Sequence, residues 1–234
     1  MAAGRKRRAA VAAVAAAVAL VGCGDDRRGG PTGDPRTVVR SAGRTTLGAA
    51  SVGIEIASGD AVVAGRLDLA RGVAAVTVRS RSTDGREVPL TIDYRRAYLE
   101  GAVLGGVPAG VPAQLVGAGV QPGNPLVVLD LLAGAVGVEA YGGAAVRGAS
   151  TLRYEGVVNP EAAIAAAPAE RRDILAAALR ALGATAIPLD VWVDQAGRVR
   201  RTQLGDDLRA LTTTTDRRGI PVVTTLDLFD FSPP

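Results

Sequence analysis

Apolar residues recur at every second position through the first half of the chain. Val52, Ile54 and Ile56 alternate with Gly53 and Glu55, Leu67 and Leu69 with Arg66 and Asp68, Val76 and Val78 with Thr77 and Arg79, and Leu90, Ile92 and Tyr94 with Thr91 and Asp93. A period of two gives a β-strand one dry face and one wet face. Ser58-Gly59-Asp60, Arg71-Gly72 and Asp84-Gly85 separate the runs and are hairpin signals. The pattern predicts an antiparallel meander.

The spacing then changes. Asn124-Pro125 places a capping side chain before a proline at the first helical position, ahead of Leu126, Leu129, Leu132 and Val136. Asn159-Pro160 repeats the signal, Pro168 restarts the helix, Leu175, Leu179 and Leu182 share one face, and Gly183 ends it. Arg147 to Val157 reads as a strand between the two helices. Strand periodicity returns in Ile187, Leu189, Val191 and Val193, with Asp190 and Trp192 on the opposite face. Beyond the turn Asp194–Gly197, strands are predicted over 198–204, 211–215 and 220–228. The order is sheet, helix, strand, helix, sheet, an α+β arrangement.

The amino terminus has a different character. Arg5, Lys6, Arg7 and Arg8 precede an uncharged stretch from Ala9 to Val21, the order of a secretory signal. As a helix that stretch would span about 20 Å at ~1.5 Å per residue, short of the roughly 30 Å of a hydrocarbon core. It ends Leu20-Val21-Gly22-Cys23, which resembles the lipobox of bacterial lipoprotein signals and so implies cleavage before Cys23 and lipid attachment to it. The alternatives are an ordinary signal with an incidental cysteine, or an uncleaved anchor. Residues 24–36 offer nothing to a core and read as a flexible tether reaching about 45 Å when extended. The expected organisation is a signal over 1–22, a lipidated Cys23 with tether to 36, and one folded domain over 37–234. That domain would be lipid-anchored at the extracytoplasmic face of the cell membrane.

Charge and residue usage narrow the chemistry. The formal charge is +4, but residues 1–22 hold four basic residues and no acidic one, so the remainder is neutral. A nucleic-acid partner, which needs a basic footprint, is not expected. There is no histidine, Cys23 is the one cysteine, and Lys6 is the one lysine. Ser-His-Asp and Cys-His catalysis, the usual zinc sites, and Schiff-base or Ser-Lys chemistry are thereby disfavoured. We expect no metal, no cofactor and no enzymatic activity. Asp190 and Asp194 could form a carboxylate pair of the glycosidase kind, against a local role for Asp194 in its turn. Asp206-Asp207 reads as a loop. Gly101–Gly123, with prolines at 108, 112 and 122, lacks the strand-to-helix setting of a phosphate cradle.

Seven or eight strands ~4.8 Å apart make a sheet about 35–40 Å wide, of which two helices, each about 10 Å across, cover about 20 Å. The remaining dry face can pack on itself, receive a protein partner, or line a pocket for an apolar ligand.

Asn124-Pro125-Leu126, Leu131-Leu132, Tyr141-Gly142, Val146-Arg147-Gly148, Thr151-Leu152-Arg153-Tyr154 and above all the run Ile187 to Arg201, which holds Val191-Trp192-Val193-Asp194, resemble the actinobacterial LppX/LprG (LppX_LprAFG) lipoprotein family. With the lipobox, the likeness spans nearly the whole chain. It implies a LolA/LolB-like fold, a curved antiparallel half-barrel sheet with helices covering its concave apolar face around a hydrophobic cavity. It also implies an acylated lipid or lipoglycan as ligand, lipid transport in the cell envelope, and an envelope transport protein as partner. From Asp93 to Gly110 the chain departs from the family, with Gly, Ala and Pro in place of aromatic or charged residues. The candidate cavity wall is Val52, Ile54, Leu67, Leu69, Val76, Val78, Leu90 and Ile92, with Leu129 and Leu132 on the helical cover. The same positions would serve as ordinary core in a non-catalytic, partner-binding or regulatory lipoprotein.

Overall fold

The computed structural model describes residues 30–80, 84–100, 123–181, 185–204 and 224–233. The expected signal, Cys23, the loop 101–122, Leu182, Gly183, Asp206-Asp207 and the strand expected at 211–215 lie outside them.

Among the described residues nine strands form one sheet: β1 (Ser51–Ser58), β2 (Ala61–Asp68), β3 (Val73–Arg79), β4 (Val88–Asp93), β5 (Ala135–Val146), β6 (Ala149–Val158), β7 (Ile187–Asp194), β8 (Val199–Leu204) and β9 (Thr224–Ser232). Their order is β4-β3-β2-β1-β9-β8-β7-β6-β5, antiparallel throughout. The pairing of β1 with β9 joins the first meander to the second half of the chain. Tight turns set the register. Ser58 opposes Ala61 across Gly59-Asp60, and Val146 opposes Ala149 across Arg147-Gly148, both with positive φ, the backbone a two-residue hairpin requires.

The register carries the dry face across the whole sheet. Ile56 stands opposite Val63, which faces Val78; on its other side Ile56 meets Leu226, then Thr202, Val191 and Tyr154. All seven are buried.

Helices cover this face, and there are more of them than the sequence pattern predicts. They are α1 (Pro35–Leu47), α2 (Tyr94–Glu100), α3 (Pro125–Leu131), α4 (Pro160–Ala166) and α5 (Ala169–Ala181). Helix α1 was not expected, although Asp34-Pro35 is the same signal as Asn124-Pro125. The Asp34 carboxylate accepts from the Thr37 amide at 2.8 Å, Pro35 takes the first turn, and Val38, Val39 and Ala42 are buried. Tyr94, read as the end of a strand, begins α2. Helix α3 stops at Leu131, a 3-10 turn spans Leu132–Gly134, and Val136 belongs to β5. Strand β5 escaped prediction because its outer half is Gly, Ala and one Tyr, exposed on both faces of an edge strand, so alternation never develops.

The expected tether also ends early. Residues 34–36 cap and begin α1, and Gly30 packs so closely on β6 that a Cβ there would lie 2.3 Å from Leu152 Cβ. Among the described residues no helix is long and apolar enough to cross a membrane.

Candidate functional site

Every residue of α3 is buried, as suits a helix that is apolar nearly all round and enclosed by its neighbours. Its Leu129, and Leu132 in the turn that follows, meet the sheet in one apolar cluster with Val52 and Ile54 of β1, Leu67 of β2, Leu69 just beyond it, Val76 and Val78 of β3, and Ile92 of β4. Leu90 is partly buried and packs against the cluster. All ten candidate wall residues are thus gathered on the helix-covered face. Val52, Ile54, Leu67, Val78 and Leu132 keep no exposed surface. Three cavities lined by described residues lie elsewhere. One of about 520 Å³ follows Ala64, Gly65, Thr77, Pro89 and Thr91 and touches the candidate wall only at Val76 and Leu90. The others, of about 210 and 340 Å³, lie at the start of α1 and at the β7–β8 turn.

Beneath the helices is a polar cluster absent from the expected site. Tyr94 and Tyr98 stand four residues apart on α2, hence on one side of it, and neither keeps exposed surface. Asp130 comes from α3 and Arg171 from α5. Arg171 Nη1 lies 3.2 Å from Asp130 Oδ2, a charge contact rather than an aligned hydrogen bond, and the guanidinium stands 5.9 Å from the centre of the Tyr98 ring. Burial pushes the Asp130 carboxyl up to about 6; Arg171 and Tyr98 oppose the rise and the charge of Glu170 adds to it. Burial also raises both phenols, and for Tyr98 the charge of Asp130 adds to it. Both tyrosines therefore stay neutral hydrogen-bond donors. Asn124 ties the cluster to the fold: its Oδ1 accepts from the Leu126 amide at 3.1 Å, capping α3, and its Nδ2 donates to the Tyr94 carbonyl at 3.0 Å.

Among the described residues, Tyr94 OH, Tyr98 OH, Asp130 Oδ2 and Arg171 Nε are the buried side-chain polar atoms without an aligned hydrogen bond, although Tyr98 faces the Asp130 carboxylate and Arg171 Nε lies 3.9 Å from Glu170 Oε1. All belong to this cluster. The one sequence signal was Asp130 itself, the single charge in the helix Pro-Leu-Val-Val-Leu-Asp-Leu.

The convex face is polar and internally paired. Arg153 and Arg201 flank Trp192, their guanidinium carbons 5.4 and 5.9 Å from its ring centre. Asp190 accepts from Arg153 at 2.9 Å, while Asp194 accepts from the Arg198 amide at 2.9 Å and from Arg200 Nε at 2.7 Å. The two carboxylates engage separate arginines, and Asp194 fastens its own turn. Among the described residues no group of three or more acidic or cysteine side chains could hold a metal ion.

No family model and no curated protein matches the sequence. Solved structures do. Lipoprotein LppX of Mycobacterium tuberculosis superposes with a TM-score of 0.50 at 15% identity, over 86% of this chain and 98% of that one. LprF from Mycobacterium bovis gives 0.48 at 13% identity, over 88% and 96%. A lipoprotein-sorting protein domain from Vibrio parahaemolyticus gives 0.21 at 8%, over 84% and 91%. The chain has the fold of LppX, the lipoprotein whose name the family resembled by the sequence carries.

Proposed function

We propose, on the premise of that shared fold, that the chain is an extracytoplasmic lipoprotein anchored through Cys23 that encloses the acyl chains of a lipid or lipoglycan and assists its transport in the cell envelope. The observation that supports this most is the helix-covered face: an aliphatic surface running through the sheet and covered by short helices. Each methylene taken from water onto such a surface contributes about 0.8 kcal/mol. Release of so buried a chain depends on an opening of the helical cover or on a partner. No catalytic residue is assigned. The test is organic extraction of the purified protein followed by lipid mass spectrometry. Co-purifying acyl lipid is expected; repeated recovery of lipid-free protein counts against the reading.

A second reading, a partner-binding or regulatory lipoprotein that uses the same body as a rigid surface, is favoured by the candidate wall residues that keep no exposed surface. Capture of one defined envelope protein by lipid-free material would select it.

A further inference from the structure

The helices of the cover are not fastened alike. Helix α1 is bonded to the sheet and its margins: Thr46 accepts from the Val199 amide at 2.9 Å, and Arg40 Nε donates to the Ala135 carbonyl at 3.0 Å. Its Gly43 abuts the Leu129 main chain of α3. Helix α4 begins where the Asn159 amide donates to the Gly134 carbonyl at 2.9 Å. Helix α2 begins where the Tyr94 amide donates to the Gly72 carbonyl at 2.8 Å and Asn124 holds the Tyr94 carbonyl. Helix α5 has less to hold it. Leu175, Ala176 and Leu179 are buried beneath it, but among the described residues the one hydrogen bond from its side chains runs from Arg172 to the Ala167 carbonyl at its own start. What joins α5 to other helices by charge is Arg171, 3.2 Å from Asp130 of α3 and 5.9 Å from the centre of the Tyr98 ring of α2. That joint is a poor one, because both partners are largely buried and no aligned hydrogen bond repays their lost hydration. At the start of α5, Ala167 closes α4 in extended conformation and Pro168 follows, which interrupts the helical hydrogen-bond ladder and leaves a hinge.

We propose that α5 is the part of the cover that opens, hinged at Ala167-Pro168, with Arg171 as the clasp that holds it against Asp130 and Tyr98. This rests on the reading that the cover opens to pass a lipid, and it adds which helix moves. Lifting α5 exposes Leu175, Ala176 and Leu179, which opposes the motion. It also returns Arg171, Asp130 and Tyr98 to water, where their hydrogen bonds are met, and that offsets part of the cost at this helix alone. A segment with few bonds to its neighbours is where local opening is least costly. The motion has a pH sense. The groups facing Asp130 are Arg171 and Glu170 of α5 and Tyr98 of α2, and burial raises its carboxyl while α5 is down. The closed state therefore holds the proton more tightly than the open one, so acid keeps the clasp shut and opening grows as pH rises through about 6.

The test is hydrogen exchange of the full chain in mild detergent, read by mass spectrometry at increasing urea. No lipid is added, so this result and the recovery of co-purified lipid can fail separately. Amides of α5 should exchange through an opening about 100-fold more frequent than the one exposing β1 and β9, and less sensitive to urea, while α1 and α3 exchange with the sheet. Arg171→Met keeps the aliphatic stem, leaves Asp130 buried alone, and should raise α5 opening about 100-fold. Asp130→Leu combined with Arg171→Met removes both charges and should return opening to the native rate or below, since an apolar pair makes no demand for water. Between pH 5 and 7.5, after correction for intrinsic exchange, opening of native α5 should rise about tenfold, and the double variant should show no such rise. Exchange of α5 in a single step with the sheet overturns the proposal, as does opening of α1 before α5. Arg171→Met at the native rate, a double variant that opens as readily as the single one, or a native chain without the pH rise each overturns it too. Should Arg171→Met fail to fold, the native chain and the double variant decide the matter.

Discussion

Gly43 of α1 lies directly against the main chain of Leu129 in α3, so that a Cβ added to Gly43 would stand 2.2 Å from the Leu129 carbonyl oxygen. The approach brings the backbones of α1 and α3 into direct contact. The obstacle is backbone, which cannot swing aside as a side chain would. Gly43→Ala should therefore force α1 and α3 apart and destabilise the protein by about 1–3 kcal/mol, the usual cost of overpacking. Chemical denaturation measures it, and an unchanged midpoint would show that the two helices are looser than they stand here.

Asn124 serves two elements with one side chain, capping α3 and holding the carbonyl of Tyr94. Asn124→Ala removes the cap, worth about 1 kcal/mol, and leaves the buried Tyr94 carbonyl without this donor. A total loss of about 2 kcal/mol is expected, and Asn124→Asp should recover only the cap. Equal stability of the Ala and Asp variants would refute the double role.

Asp130 gives stability a pH dependence of definite sign. Its carboxyl rises from 3.8 to about 6 on folding, so the native state holds the proton more tightly than the unfolded chain. Stability then falls as pH rises from about 4 through 6 and levels off above. The groups facing it are Arg171, Tyr98 and Glu170. At ~1.4 kcal/mol per pH unit the decline approaches about 3 kcal/mol. Asp130→Asn should remove that slope, which urea unfolding between pH 4 and 7 would record. Parallel curves for the two proteins would mean that Asp130 ionises freely.

The anchor is tested separately. Cys23→Ala should abolish acylation and leave unprocessed precursor, seen as lost incorporation of labelled palmitate and a larger chain on gels. Mature protein that still partitions into detergent would place the anchor elsewhere.

Local pattern was enough to reveal most of the sheet. Strands β1 to β4 and β7 to β9 each expose one face, so their side chains alternate, and the glycine-containing turns between several of them announce themselves; that is a property of neighbouring residues and can be read from them. That Val52, Ile54, Leu67, Leu69, Val76, Val78, Leu90 and Ile92 share one apolar face was legible for the same reason. Strand β5, an edge with both faces open, imposes no alternation, and the short helix α2 is held by contacts with β3 and α3 rather than by its own sequence. Tertiary structure alone decided that Tyr94, Tyr98, Asp130 and Arg171, up to 77 positions apart in the chain, meet beneath the helices. Burial and charge pairing depend on what packs around a residue, and distant segments supply that packing.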